Sequence, residues 1–302
     1  MAKPRAAALS LAGERLEVEV GPKSTVTELK LAITAAWSIP TSVLRLVLGT
    51  EAVSDDDPLL PESYHVLVSL DVLRKELGSK ASARRKHALD ELRALGLKGG
   101  PDAIAEATIC LQDNKSIVRE AAVQVLAAAF ARGDPRGLDT LGAALQDRNW
   151  SVRRAATQAV GALGRQGEAR ALEVLGRQLT DWSASVRLAA VDALVTLTGQ
   201  DDQSMMTPLC ECCLDDDSEV RLASVRALTR LAEMDRDRVA KVLCDVLAKD
   251  DDLHVRLAAL RSLAQFTSDG NSCSIPALSA CLEDEDPAVR RAAELALTKQ
   301  LA

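Results

Sequence analysis

Aromatic side chains are scarce in this 302-residue chain: three Trp, two Phe and one Tyr, 2% of the total. Sheet-based enzyme cores lean on aromatic bulk, whereas 47% hydrophobic content made largely of Ala and Leu suits stacked helices. Long apolar runs are missing too. The longest, 121–131, is interrupted by Gln124 and falls short of the roughly 20 residues that a membrane-spanning helix needs. Positive charge is not in excess either: the net charge is −7, and residues 201–302 carry 12 basic against 20 acidic groups. An acidic third of that size argues against binding phosphate backbones, so neither nucleic acid nor membrane is an expected partner. The seven cysteines are odd in number and irregular in spacing, which is no disulfide framework. The expected compartment is the reducing cytosol, with or without the nucleus.

Catalytic vocabulary is thin. Ser–His–Asp logic, Gly-rich phosphate loops and zinc-protease motifs are not found. Cys210-Glu211-Cys212-Cys213, with Cys244 one period on, invites a metal or redox reading. Yet no paired CxxC motif or nearby His completes a zinc site, and buried thiols in a helix stripe are the simpler account. No cofactor is implied. The opening residues Met1–Arg5, followed by a short apolar stretch, imitate a secretion signal; they read better as a tail entering a strand.

What the chain does have is a recurring phrase: an Asp, four residues, Val-Arg, one residue, then two small residues. The Val stands at Val118, Val152, Val186, Val220, Val255 and Val289, in steps of 34, 34, 34, 35 and 34 residues. Five residues before each stands Asp113, Asp147, Asp181, Asp215, Asp250 or Asp284. So regular a period predicts a repeat architecture, each copy two helices around a corner. In the copy at Asp147 the first helix is expected over Pro135–Gln146 and the second over Trp150–Leu163. Two residues after each Asp come Lys115, Asn149, Ser183, Asp217, Asp252 and Asp286; all but the lysine are good helix caps. Pairs such as Ala189-Ala190 allow neighbouring copies to approach closely. The recurrent Asp and Arg are expected to form a structural ladder, each Arg meeting its own Asp or the next copy's. Trp150 and Trp182, near the corners, are expected to cover the array's edge.

Two, six and ten residues after the recurrent Val the second helix should face away from the buried stripe, and there the letters change. Leu188, Leu222 and Leu257 would form an exposed apolar row flanked by Arg226, Arg230 and Arg261. Such a face suits a protein or peptide partner, an acidic amphipathic segment in particular.

The first seventy residues follow another rule. Short strands are expected at 7–11 and 16–20 with a turn at Ala12-Gly13, a helix over 25–36 capped by Ser24 or Thr25, and strands at 44–48 and 65–70. That order is a β-grasp. The stretches Leu16–Val26 and Ile39–Gly49, with their bend, Ile-Pro and Arg-Leu strand, resemble the ubiquitin-like family. The resemblance implies a docking patch on the sheet at Val47, His65 and Leu67, and receptors for ubiquitin-like folds as partners. The chain runs on past the last strand, and Lys98-Gly99-Gly100 reads as helix stop and helix start, so the module is integral rather than a conjugated modifier.

The periodic copies resemble HEAT-like repeats of the phycobilisome-lyase type. Two activities are known with such repeats, bilin lyase and the di-iron deoxyhypusine hydroxylase. The latter's His-Glu pairs are absent here, where only His65, His87 and His254 occur. The fold expected is therefore mixed: an α+β β-grasp domain (1–70), a degenerate capping repeat (71–100) in which Ser79 replaces the Asp, and an all-α solenoid of six copies (101–302). The function expected is a non-enzymatic, monomeric protein-interaction scaffold. The alternative is a lyase-like or metal-dependent oxidoreductase built on the same array.

Overall fold

A computed structural model describes residues 4–10, 14–21, 23–198, 203–233, 235–266 and 274–298. Compact units divide at Ala144/Leu145.

Residues 4–70 form a five-stranded mixed sheet with one helix, α1 (Val26–Trp37). The strands β1 (Arg5–Ser10), β2 (Arg15–Glu19), β3 (Leu44–Leu48), β4 (Glu51–Ala52) and β5 (Ser63–Val68) lie in the order β2-β1-β5-β3-β4. Only β1 and β5 run parallel, as expected when a helix separates paired strands. Alternation sends Ala6, Ala8, Leu44, Leu46, Tyr64 and Val66 into the core with Val26, Leu29 and Ile33 of α1. Lys30, 4% exposed, reaches Asp55 at 2.5 Å and fastens the helix to the loop before β5. Thr25 sits at the cap position without using its side chain; Ser24 accepts the Gly21 N–H instead. The expected Ala12-Gly13 turn lies outside the described residues.

The same compact unit continues into α2 (Asp71–Leu77), α3 (Ser82–Leu95), α4 (Gly100–Cys110), α5 (Ser116–Ala129) and α6 (Pro135–Leu141). Lys98 donates to the Trp37 carbonyl at 2.7 Å and Ser42 to Glu91, so the sheet module is stitched onto the first helices, while Arg74 of α2 donates to Glu106 of α4 at 2.7 Å. Gly96 and Gly100 both adopt positive φ, breaking the chain between α3 and α4. The helix expected over Pro135–Gln146 stops at Leu141, with Gly142 as its cap; weak helix formers at 137 and 142 end it early.

The second unit holds α7 (Trp150–Leu163), α8 (Ala169–Gln178), α9 (Ala184–Leu197), α10 (Met206–Cys212), α11 (Ser218–Leu231), α12 (Arg236–Lys249), α13 (Leu253–Phe266), α14 (Ser274–Ala280) and α15 (Pro287–Thr298). The 14-residue helices α7, α9, α11 and α13 stack one on the next, and α15 closes the row. Helices α8, α10 and α14, which are shorter, and α12, which is equally long, pack on their partners and form a second layer. Small residues set the spacing. A Cβ on Gly161 would lie 2.6 Å from that of Ala193, so α7 and α9 meet at a distance only glycine permits.

Candidate functional site

The Asp–Arg phrase forms a ladder with a definite sense. Arg153 donates through Nε and Nη2 to both oxygens of Asp181, 28 residues on, at 2.6 and 2.7 Å. Arg187 does the same to Asp215 at 2.6 Å, and Arg221 to Asp250 at 2.8 and 2.9 Å. The third nitrogen, Nη1, turns back: Arg187 reaches the main-chain carbonyl of its own Asp181 at 2.8 Å. Each Asp also accepts the N–H two residues on, as Asp215 does from Asp217 at 2.9 Å. Of the two contacts left open by spacing, both are used, carbonyl at home and carboxylate next door.

Burial is the largest influence on Asp215 and pushes its pKa up, but the Arg187 and Asp217 hydrogen bonds and two arginine charges outweigh it. The net result holds the carboxyl below its ordinary value, and Asp181 behaves alike under Arg153. Asn149, Asp217, Asp252 and Asp286 cap their helices through the side chain; Ser183 holds the cap position without such a bond.

With the ladder accounted for, the variable face of α11 and α13 stands out. A cleft of about 410 Å³ is lined there by Leu222, Arg226, Thr229, Arg230, His254, Leu257, Arg261 and Gln265. Five residues singled out by periodicity thus meet: Leu222, Leu257, Arg226, Arg230 and Arg261. The expected exposed leucine row needs correcting. Leu222 is buried, and Leu188 and Leu257 are half-buried, because close helix stacking sinks that position below the surface. Leu188 does not line the cleft. The leucines are its floor and the exposed arginines its rim. Arg226 feels Asp192, whereas Arg230 and Arg261 have no hydrogen-bond or ionic partner among the described residues. Thr229 donates to Ser262 at 2.6 Å and ties the two helices at its base.

On the sheet, Val47 pairs with His65 and Arg45 with Leu67, so the four share the face away from α1. Leu67 is exposed and Val47 half-buried.

The cysteines are quiet. Burial pushes the Cys110 thiol up to about 11, that of Cys212 up to about 11, and those of Cys210 and Cys213 upward as well. At neutral pH these are protonated thiols, poor as nucleophiles and metal ligands. Among the described residues no three His, Cys, Asp or Glu side chains gather into a metal-holding group. None of the described helices is long and apolar enough to cross a membrane.

Trp182 departs from expectation. It is 98% exposed and covers nothing; Trp150 is half as exposed and stacks under the Arg154 guanidinium at 5.2 Å. A single apolar letter in a polar corner was the only signal available, and it could not distinguish covering from projecting.

The sequence matches the family profile described as HEAT repeats over residues 108–195, 138–229 and 206–298. No curated protein matches it. Among solved structures, YibA of Escherichia coli is 19% identical, with 77% of this chain covering 93% of that one at a TM-score of 0.51. Cex1p is 16% identical at a TM-score of 0.54, with 76% of this chain covering only 52% of Cex1p. At such identities the likeness is one of fold.

Proposed function

Since the chain belongs to the HEAT-repeat family over residues 108–298, we propose that it is a non-enzymatic scaffold whose array face docks an acidic amphipathic segment of a partner protein. One observation carries this reading: Arg230 and Arg261 stand unpaired beside a leucine floor, in a third of the chain where carboxylates outnumber cations 20 to 12. Surplus carboxylates would neutralise stray arginines if neutrality were all that was needed. Apolar side chains of the segment would rest on Leu222 and Leu257 while its carboxylates meet Arg226, Arg230 and Arg261.

The N-terminal sheet, read as an integral ubiquitin-like module, would add a second docking face at Val47, His65 and Leu67 for receptors of such folds. The Asp–Val-Arg phrase is what relates the copies to the phycobilisome-lyase type. Cytosolic residence suits the six described cysteines, all free.

The test is fluorescence anisotropy with a labelled 20-residue probe helix, Leu on one face and Glu on the other. Arg230→Glu with Arg261→Glu is expected to weaken binding at least tenfold, and raised salt to weaken the wild type. Binding indifferent to both would overturn the reading.

A further inference from the structure

One copy breaks the pattern twice, and both breaks line the same cleft. Three residues before the recurrent Asp, the copies carry Cys110, Ala144, Cys212, Leu247 and Cys281, all buried. The copy at Asp181 carries Gln178 there, 4% exposed. One residue after the Asp, the others carry Asn114, Arg148, Asp216, Asp251 and Glu285; this copy carries Trp182. Gln178 and Trp182 border a cleft of about 460 Å³ between the corners at Asp147 and Asp181, with Leu145 also lining it.

The cleft's charges are already committed. Arg153 is held by Asp181, Arg177 by Glu173 at 2.6 Å, and Asp147 accepts the Asn149 N–H at 2.8 Å. What remains uncommitted is neutral. Gln178 is 4% exposed and its amide has no protein hydrogen-bond partner among the described residues, yet the amide atoms are not sealed inside the protein, so they open on the cleft and its water. An amide offers two donors and an acceptor, which match the N–H and C=O of a peptide unit. Trp182 presents an unoccupied flat apolar face beside it. A phosphate-bearing ligand would meet no free cation here, in a chain of net charge −7.

We propose that this corner cleft takes an uncharged extended segment of a partner protein. One large apolar side chain lies on Trp182, and the adjoining peptide unit pairs with the Gln178 amide. The site is separate from the arginine cleft and does not depend on it.

The experiment is phage display of random dodecapeptides on the full chain, followed by anisotropy of the synthesised winners on wild type, Trp182→Ala and Gln178→Met. Trp182 supports no packing, so its variant folds whatever Gln178→Met does. Expected winners are uncharged, carry a Trp, Phe, Tyr or Leu, and lose at least tenfold in affinity on each variant, with Arg230→Glu/Arg261→Glu binding them normally. Winners that bind Trp182→Ala undiminished would overturn the proposal. So would a selection made up only of acidic peptides, or displacement of the winners by adenosine, which would mark a nucleobase pocket instead.

Discussion

Along the corners of residues 145–302, Asp181, Asp215 and Asp250 each repeat the same three tasks: accepting an arginine fork, holding an N–H, and offering a carbonyl to the next arginine. On the face of α11 and α13, a few turns away, Leu222 is followed one period later by Leu257, but Arg230 by Gln265. The same helices therefore carry an edge where every letter is dictated by its neighbour and a face where few are. Bonds made to the adjacent copy cannot change singly, whereas side chains that meet only solvent can, and recognition has to be written in the second set.

Acid should break this contrast most forcefully, because it acts on several rungs together. The carboxyls of Asp181 and Asp215 titrate below their unfolded value, so the folded chain binds fewer protons than the unfolded one and stability rises with pH. That stability is complete above the ordinary carboxylate range, near ~4, and is lost as pH falls through the lowered values. Melting followed by circular dichroism should be flat from neutral to mildly acidic pH and fall steeply below it.

Next comes a single rung. Arg187→Ala strands the Asp215 carboxylate, whose side chain is 9% exposed, and should cost about 3–5 kcal/mol in urea denaturation. The rung formed by Arg256 is poorer: one contact to Asp284 at 3.3 Å, with its buried Nε unpaired. Arg256→Ala should cost less, about 2 kcal/mol. Equal losses would mean that the rungs do not differ. Smallest of all, Arg230→Ala with Arg261→Ala should move stability by no more than about 0.5 kcal/mol, while markedly reducing the salt dependence of probe-helix binding. A large stability loss there would erase the distinction between edge and face.

Periodicity made the ladder's partners visible, because Asp and Arg recur together irrespective of what surrounds them. It left open which Asp each Arg meets. That depends on the rotation between copies, which no single copy encodes. Position along the second helix likewise brought Leu222, Arg226 and Arg261 to one face but not to one depth. The Ala pairs and Gly161 draw the helices so close that leucines become a floor. In the sheet, β5 begins at Ser63 rather than His65 and the two-residue β4 had no visible pattern, since so short an edge strand is defined by its partner. That the Gln178 amide opens on a cleft without a protein partner depends on packing and is visible only in the structure.

Ser79 shows a further consequence of the ladder's sense. Arg85 grips Asp113 at 2.6 and 2.8 Å and takes the Ser79 carbonyl at 2.9 Å, so the first copy supplies a carbonyl but is never asked for a carboxylate. At the other end Arg290 holds the Asp284 carbonyl at 2.6 Å, with no carboxylate in its fork among the described residues. Within each unit the copies thus couple like railway wagons, hook to ring in one direction, and train length is the quantity such coupling leaves free. Excising residues 188–221 would hand Asp250 from Arg221 to Arg187 with every remaining coupling intact. A cut of any length other than a whole period would leave a hook without its ring.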